Sequence, residues 1–381
     1  MKPSELRASE ELFISDHNEP QKSIKVFVHL AANKDAVDWA EARRTGALVG
    51  INDETPYGYG RANQMGCVVT FSKASDERLT AKFLRLAFRV LTGFDLLHAV
   101  RQGRSLLESD IVWTHTESQF LAVAAFVAFS KNRPKILGQS IWLFDRWESL
   151  NFFHKFLYRR LIHNVDILTV HSSNNLATIK SIFPGKLAEL VLFGIPSEHM
   201  KAPSVRSSKP LRILAIGNDR HRDWHCFAKA LDGIPNSHAV ILSSSAPHSL
   251  MKNRPNLQIM QAHSNLELLE RFAEATVVCV PLKYNLHASG ITVIQEAVLA
   301  GVPVIATATG GLEDYFSPDT IRYVPLDDSL ALRKALQEVA ADPAGAMERA
   351  TKAQQHMIDA KIGAEFFIRR HVELSREILG G

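Results

Sequence analysis

One stretch of the sequence carries most of the information on the architecture: Ala288-Ser-Gly-Ile-Thr-Val-Ile-Gln-Glu-Ala-Val-Leu-Ala-Gly-Val-Pro-Val-Ile-Ala-Thr307. A strand-like apolar run precedes it, and a loop then reaches Gly290. The spacing predicts a helix from there to about Ala300, with Gly301 suited to its C-cap and Pro303 leading the next strand. The apolar positions of this helix repeat at helical spacing and should face the core, namely Ile291, Ile294, Val298 and Leu299.

Another face of the predicted helix carries Thr292 and Glu296, four positions apart. Helical side chains lean toward the N-terminus of their helix, so Glu296 should point back to the turn at Ser289 and Gly290. Free backbone N–H groups and the positive end of the helix dipole meet at such a turn, which suits a diphosphate, and a carboxylate one turn further suits the hydroxyls of a ribose. A helix whose glutamate is simply solvated would show the same spacing, so the residues alone leave both interpretations open.

Short β-rich runs alternate with longer helical stretches along the chain, twice over. Such alternation predicts parallel sheets with helices on both faces, so the fold class is α/β. The polar segment 201–210 contains two prolines and three serines and has the composition of a linker between the halves. The predicted strands are 24–30, 67–71, 111–115, 135–138, 166–170 and 189–193 in the first half, and 211–216, 239–242, 257–260, 276–280 and 302–306 in the second.

The length, composition and charge limit the classes of protein to which the chain could belong. A length of 381 residues suits two domains, and 46% apolar residues allow each half a core of its own. A net charge of +4 without a basic-aromatic pattern predicts no nucleic-acid partner. The three cysteines form no CxxC pair, which argues against zinc and disulfides and favours a reducing compartment. Neither a signal peptide nor a transmembrane run of about 18 apolar residues is read, so we expect a cytoplasmic location.

The stretch 288–307 closely resembles the nucleotide-sugar motif of GT-B glycosyltransferases, particularly glycosyltransferase family four. That pattern is a glycine-rich turn, then Glu-Ala, a few small or apolar residues and Gly-x-Pro-Val-Ile, and Thr309-Gly-Gly-Leu-Glu-Asp314 extends the match. The resemblance is strong over 211–315 and diffuse over the first half. It implies two Rossmann-like domains facing across a cleft: residues 1–200 bind the acceptor, residues 201–361 bind the nucleotide sugar, and a helix at about 362–381 packs back on the first domain.

The resemblance also implies an activity: transfer of a sugar from a nucleotide-sugar donor to a saccharide or lipid-linked saccharide acceptor, without metal or further cofactor. In the family the glutamate matching Glu296 binds the ribose hydroxyls, and the turn matching Ser289, Gly290, Ile291 and Thr292 contacts the donor diphosphate. UDP is the expected nucleotide, although the residues do not exclude GDP or ADP. Family members often have a second glutamate eight residues earlier, near the sugar, where this chain has Ala288, so a carboxylate contact to the sugar is left open.

Basic residues follow the first strand of the second half. Gly217 permits a tight turn, and Arg220 and Arg222 bring positive charge whose planar fork suits phosphate oxygens. The resemblance places a basic residue of this stretch against the donor diphosphate, where it would stabilise the leaving nucleotide, and Arg222 is our first choice. An exposed arginine paired with Asp219 or Asp223 is the alternative.

Two further residues are candidates for donor contacts. Lys283, just past a predicted strand, could add positive charge near the diphosphate. Ser243, the first of three consecutive serines after another strand, could touch the base or the ribose.

The first half offers candidates for the chemistry. The glycine-rich turn 56–61 is expected either to lie against donor or acceptor or to be a flexible surface turn. His115 follows a strand where family members often keep a histidine in the cleft, and a structural histidine would fit equally. Asp145, at a predicted strand-to-helix junction, could deprotonate the acceptor hydroxyl or cap the helix. Inversion would require Asp145 or His115 as a base, whereas the retention that the resemblance favours requires no obvious protein base.

Two basic-apolar segments, 79–94 and 152–162, have the composition of helices that lie on anionic membranes. The alternative is that they pack their apolar faces on the sheet of their own domain. Peripheral attachment to the cytoplasmic face of the membrane would suit a lipid-linked acceptor, as in the synthesis of bacterial surface polysaccharides and exopolysaccharides.

Three other functions fit parts of the sequence. A nucleotide-sugar epimerase or a phosphorylase could share the two-domain plan, although no lysine context for pyridoxal phosphate is found. A non-catalytic two-domain ligand-binding protein is a candidate from another class. Because Ala288 replaces a usual carboxylate, a transferase that has lost its activity is a further interpretation.

Overall fold

The computed structural model describes residues 23–74, 77–234 and 236–380. Its strands form two six-stranded sheets in which neighbouring strands are parallel. The strands of the first sheet are β1 (Ile24–His29), β2 (Cys67–Phe71), β3 (Ile111–Thr114), β4 (Lys135–Gln139), β5 (Ile167–Val170) and β6 (Ala188–Leu190), in the order β2-β1-β3-β4-β5-β6. Those of the second sheet are β7 (Leu211–Ile216), β8 (Ser237–Leu242), β9 (Leu257–Met260), β10 (Val277–Val280), β11 (Val304–Thr307) and β12 (Arg322–Val324), in the order β12-β11-β10-β7-β8-β9.

Helices connect the strands and cover the sheets. Those connected with the first sheet are α1 (Ala36–Arg44), α2 (Leu79–Thr92), α3 (Leu96–Arg101), α4 (Gly103–Leu107), α5 (Glu117–Phe126), α6 (Phe152–His163) and α7 (Ser173–Ile182), with 3-10 helices at Pro56–Met65 and Trp147–Ser149. Those that follow β7 in the chain are α8 (Trp224–Leu231), α9 (Asn265–Glu274), α10 (Ile291–Leu299), α11 (Ser329–Ala341), α12 (Pro343–Asp359) and α13 (Ala364–Leu379), with a 3-10 helix at His248–Met251.

The predicted α/β class is confirmed, and the predicted strands appear with shifts of a few residues at their ends. Every residue of the inner strands β3, β5, β10 and β11 is buried, because helices cover both faces of these parallel sheets. The short edge strand β12 was not predicted, since a three-residue run shows no period of its own. The predicted turn at 56–61 is the start of a 3-10 helix, in which Tyr57 and Gly58 leave the helical conformation.

Each sheet has a core on either face. One face of the first sheet packs on α5 around Phe120, and one face of the second packs on α10 around Ile294. The other face of the second sheet packs on α8 and α11. Within the described ranges, no helix is both long and apolar enough to cross a bilayer.

The last helix of the chain, α13, packs on the remaining face of the first sheet. Phe367 is buried there in the cluster that contains Trp113, and the Trp113 Nε1–H donates to Ser375 Oγ at 2.9 Å. The helix also packs on the 3-10 helix Pro56–Met65. The C-terminal segment therefore returns to the first sheet after the chain has completed the second.

The packing of α13 on the first sheet predicts how two substitutions change the stability of the protein. Phe367→Ala removes a side chain that is 1% exposed, and we expect a loss of about 3–5 kcal/mol in the free energy of unfolding. The neighbouring Phe366, which is 37% exposed, provides the matched control, and Phe366→Ala should cost less than about 1 kcal/mol. Urea unfolding followed by circular dichroism measures both, and equal losses would contradict the packing of α13.

Candidate active site

Arg222 lies buried at the carboxyl end of the second sheet, enclosed by two glycine turns. Its Nε donates to the Ile216 carbonyl at 2.9 Å and its Nη1 to Ser289 Oγ at 3.0 Å. A Cβ on Gly217 would lie 2.3 Å from Arg222 Nε, and one on Gly290 would lie 2.5 Å from Val280 Cγ1; both glycines have positive φ. The local backbone thus has no space for larger residues beside the guanidinium.

The alternative of an exposed, ion-paired Arg222 is wrong. Burial lowers the pKa of Arg222 to about 10, and the nearby Asp219 opposes that shift, so the guanidinium stays charged at neutral pH. Among the described residues no carboxylate oxygen lies within salt-bridge distance of it, and Asp223 instead caps α8 by accepting from the Cys226 N–H at 3.0 Å. A buried cation at the start of α10, where the helix dipole is positive, makes an anion site.

Glu296 lies in the second turn of α10 and is buried. Its Oε1 accepts from the Ile51 N–H at 3.0 Å, so the carboxylate does not point into solvent, as the alternative interpretation had it. Burial raises the pKa of Glu296 to about 7, although the Ile51 hydrogen bond acts in the opposite direction. The carboxyl group is therefore held partly protonated near neutrality and would gain from additional hydrogen-bond donors.

The segment after α1 reaches across to the second domain beside Glu296. Asn265, at the start of α9, donates its N–H to the Gly46 carbonyl at 3.0 Å and accepts from the Gly50 N–H at 3.2 Å. Together with the Ile51 contact, these bonds hold residues 46–51 against α9 and α10. A cavity of about 1250 Å³ adjoins this segment and extends to the C-terminal end of α10, at Leu299 and Ala300, away from Arg222.

A second buried cluster joins the two domains through His287. Its Nδ1 lies 2.8 Å from Asp145 Oδ2, and its Nε2 lies 3.1 Å from Asp219 Oδ2. Asp219 also accepts from Ser289 Oγ at 2.7 Å and contacts His221 Nδ1 at 3.0 Å. Ser289 thus links this cluster to Arg222, and the polar groups form one continuous network across the cleft.

Charge in this network favours a protonated His287. Burial alone would lower the pKa of His287, but the hydrogen bonds to Asp145 and Asp219 outweigh it and raise the pKa above the ordinary value. Burial likewise acts to raise the pKa of Asp219, yet hydrogen bonds from His221, His287 and Ser289 hold it well below the usual range. His287 thus lies between two acidic side chains that both favour its protonated form.

Asp145 does not cap a helix, so that alternative is wrong. Both of its oxygens face the second domain, where Oδ1 accepts from the Leu286 N–H and Oδ2 faces His287. The 3-10 helix that follows begins after Arg146 without a side-chain cap. Further bonds cross the cleft nearby, because the Ser173 N–H donates to Asp314 at 2.7 Å and Ser172 Oγ donates to the Leu286 carbonyl.

His115 is buried at the end of β3 in an aromatic setting. Its ring stacks on Tyr57 with centroids 3.4 Å apart, and its Nδ1 lies 3.1 Å from the Tyr59 hydroxyl and 3.2 Å from Gln139 Nε2. Burial lowers its pKa well below the usual value, so the imidazole is neutral. The turn 56–61 is not a flexible surface turn, since Tyr59 is fully buried and Arg61 pairs with Asp53.

The remaining predicted residues differ in burial. Ile291 opens α10 and is buried, whereas Thr292 beside it is exposed. Ser243 is buried and donates to Asn218 Oδ1 at 3.1 Å, which ties the serine turn to the residue after Gly217. Arg220 and Lys283 are exposed. The structure therefore brings Gly217, Ser289 and Gly290 together around the Arg222 guanidinium.

Asp219, His221 and His287 also have the residue types of a metal site, with potential ligand atoms within 4.8 Å of one another. A metal ligand must be a deprotonated imidazole nitrogen, whereas both nitrogens of His287 face carboxylates and its pKa is raised. The cluster thus fits a hydrogen-bonded network better than a metal site. His287 and Asp219 were not among the predicted site residues; their position next to Ser289 and Arg222 was the available signal, but their pairing requires both domains.

Comparisons with solved structures agree on the fold. A sucrose-phosphate synthase from Thermosynechococcus elongatus has a TM-score of 0.69 at 16% identity, covering 93% of this chain and 99% of that chain. Anabaena HepE in complex with UDP and glucose has a TM-score of 0.68 at 11% identity, covering 92% and 99%. A trehalose-6-phosphate synthase, described in a study of glycosyl transfer with retention, has a TM-score of 0.62 at 12% identity, with the same coverage.

The two parallel α/β sheets and this likeness over nearly the whole of both chains define the GT-B fold, as predicted. No protein-family model and no curated protein matches the sequence. The resemblance to family four therefore stays a prediction, as do the roles of the site residues.

The His287 network predicts a pH dependence. Because the folded pKa is raised, the stabilisation from His287 is fully present below about pH 6.5, its ordinary value, and is lost as pH rises through the folded value. We expect His287→Gln to lower Tm by roughly 3–6 °C at pH 6, and by less above the folded pKa. The exposed His248, changed to Gln, is the control. A Tm difference that does not change with pH would contradict a protonated His287.

The raised pKa of Glu296 predicts that Glu296→Gln becomes more stable relative to the wild type as pH rises. A carboxyl group with a pKa raised to about 7 destabilises the folded protein increasingly as pH rises from about 4.5 through 7. Glu296→Gln keeps an oxygen for the Ile51 N–H, so it should stabilise the ligand-free protein by roughly 1–3 kcal/mol at pH 8 and have little effect at pH 5. Urea unfolding at both pH values measures this, and a destabilised variant at pH 8 would show that the ionised carboxylate is well compensated.

Proposed function

We propose that this protein is a glycosyltransferase that moves a sugar from a nucleotide-sugar donor, with UDP as the nucleotide, to a saccharide acceptor. The observation that carries the proposal is the placement of two groups beside one helix: the buried Arg222 guanidinium lies at the start of α10, and the buried Glu296 carboxyl group lies in its second turn. A nucleotide sugar presents the complementary pair, an anionic diphosphate and a ribose diol. The similar structures support the proposal, because one of them is a complex with UDP and glucose and two others are a sucrose-phosphate synthase and a trehalose-6-phosphate synthase.

The diphosphate would bind at Arg222 and the first turn of α10. Negative charge grows on the leaving diphosphate as the sugar–oxygen bond breaks, and a preorganised guanidinium in a buried site stabilises that charge. The first-turn N–H groups of a helix have no partner within the helix and would add donors. Gly217 and Gly290 would allow the phosphates to approach the backbone closely.

The ribose would bind at Glu296. Its Oε1 is held by the Ile51 N–H, so we assign the ribose hydroxyls to Oε2. Hydroxyl donors favour the ionised carboxylate, so nucleotide binding should lower its raised pKa. Ser243, tied to Asn218 beside Gly217, is assigned to the nucleotide, and the exposed Arg220 and Lys283 to the rim of the diphosphate site.

Transfer with retention is the stereochemistry that we propose. The surroundings of the two candidate bases support this: both oxygens of Asp145 face Leu286 and His287, and the buried His115 stacks on Tyr57 with its Nδ1 facing Tyr59 and Gln139. The sugar–diphosphate bond would break as the bond from the acceptor oxygen forms on the same face, and the acceptor proton would pass to a leaving diphosphate oxygen. Asp145 then acts through His287, whose positive charge it maintains beside the reaction centre.

The proposal also covers the acceptor and the cellular location of the reaction. We assign a saccharide or lipid-linked saccharide acceptor to the first domain, in bacterial surface polysaccharide synthesis at the cytoplasmic face of the membrane. Apolar side chains that face outward on two basic helices of that domain support this assignment.

Calorimetric titration with UDP, GDP and ADP tests the donor site. We expect UDP to bind most tightly, and Glu296→Gln to weaken UDP binding about ten- to a hundredfold because a charge-assisted hydrogen bond is lost. Glu270→Gln, at an exposed carboxylate on the neighbouring α9, is the matched control and should leave binding unchanged.

The other outcomes of this titration distinguish the candidate functions. Binding of GDP or ADP in preference to UDP would keep the transferase and change the donor. Binding of no nucleotide by the wild-type protein would contradict the proposal and favour an inactive homologue or a ligand-binding protein.

A further inference from the structure

Helix α2 is inverted in its polarity: a charged side chain is buried and the apolar side chains face outward, the reverse of a helix that packs on a soluble domain. The only buried side chain on α2 is that of Arg85, which forms ion pairs with Glu77 and Asp95. Its apolar residues instead face outward, with Phe83 at 74% and Val90 at 83% exposure. The exposed apolar residues on α2 are Leu79, Phe83, Leu84, Leu86, Phe88, Val90 and Leu91. The alternative that this segment packs its apolar face on its own sheet is wrong.

Helix α6 adds a second exposed apolar surface next to the C-terminal end of α2. The Tyr158 hydroxyl donates to the Thr92 carbonyl at 2.9 Å, which joins the two helices. Phe152, at 84% exposure, stacks on Phe156, and Phe153 is exposed beside them. We call the exposed apolar side chains of α2 and α6 the apolar patch; exposed apolar surface of this extent marks an interaction site.

The charged side chains on α2 and α6 are all basic. Neither 79–92 nor 152–163 contains an acidic residue. Lys82 and Arg89 on α2 and Arg160 on α6 are exposed. Around the axis of α2 the apolar residues occupy one broad arc, and Lys82 and Arg89 lie at the edge of this arc that is nearer to the buried Arg85. A helix that lies in the headgroup region of an anionic bilayer has this distribution.

We propose that α2 and α6 form a membrane-docking surface that seats the first domain on an anionic lipid bilayer. Phenylalanine and leucine side chains enter the acyl boundary, while the bordering basic side chains meet lipid phosphates. The docking itself follows from the exposed residues; its link to an acceptor in the same bilayer rests on the proposed transferase function.

A pocket lined by residues of both α2 and α6 adjoins this surface. It has a volume of about 480 Å³, and its lining includes Arg89, Trp142, Arg146, His154 and Tyr158. The ring of Trp142 lies 6.2 Å from that of His287, so one lining residue also contacts the network between the domains. The one carboxylate in the lining, Glu117, accepts from the N–H groups of Ile141 and Trp142. An anionic lipid headgroup fits the basic lining, and we assign the pocket to the headgroup of a lipid-linked acceptor.

Vesicle flotation tests the docking surface. The wild-type protein should float with vesicles that contain phosphatidylglycerol, less so at high salt, and not with pure phosphatidylcholine vesicles. Phe83→Gln combined with Val90→Gln should reduce the partition constant at least tenfold, because two apolar side chains no longer enter the bilayer. The matched control is Val37→Gln with Phe129→Gln, two exposed apolar residues outside α2 and α6 with 76% and 98% exposure, and it should bind as the wild type does.

Several results would overturn the docking proposal. One is a wild-type protein that ignores anionic vesicles at low salt, and another is an equal loss of binding in the control variant. A dimer in analytical ultracentrifugation that the Phe83/Val90 variant dissociates would assign the patch to a second copy of the chain instead. Nucleotide affinity of the same variants separates this proposal from the previous one. Docking without binding of UDP, GDP or ADP would contradict the transferase alone, and nucleotide binding without docking would contradict the membrane surface alone.

A soluble lipid tests the pocket. Dihexanoyl phosphatidylglycerol below its micellar concentration should bind to the wild-type protein, and Arg146→Gln should weaken that binding without changing UDP affinity. Unchanged binding in Arg146→Gln would overturn the assignment of the pocket to a headgroup.

Discussion

The buried guanidinium of Arg222 imposes the strongest local constraint on the second domain. A charge taken out of water costs several kcal/mol unless other groups compensate it, and here the compensation comes from the Ile216 carbonyl, Ser289 Oγ and the more distant Asp219. A side chain at position 217 would displace it, one at position 290 would overlap Val280, and both positions have positive φ, so the two turns require glycine. An anion at the start of α10 would complete the compensation that the protein alone leaves partial.

The same network connects the guanidinium to the other domain. Ser289 joins Arg222 to Asp219, Asp219 faces His287, and His287 faces Asp145 on the first domain. A second contact across the cleft, between Glu296 and the Ile51 N–H, lies further along α10. Both contacts are polar and both use groups that would meet a nucleotide sugar, so donor binding and the closure of the cleft would depend on the same residues.

Much of the fold could be predicted from the sequence, because parallel strands and amphipathic helices have distinct periods. The start of α10 at Ile291 and the position of Gly217, Arg222, Ser289 and Gly290 after strand ends followed from local patterns. The pairing of Asp145 with His287 did not, since it joins residues that are distant in sequence and depends on how the two domains meet. The inversion of α2 could not be predicted either, because its composition is the same whether the apolar side faces a sheet or a bilayer; only the position of Arg85 decides between them.

A crystal structure of the complex with UDP tests the central claim most directly. We expect the diphosphate within hydrogen-bond distance of the Arg222 guanidinium and of the first-turn N–H groups of α10, with the ribose hydroxyls on Glu296. A UDP molecule bound instead in the cavity at the other end of α10, beside Leu299 and Ala300, would contradict it.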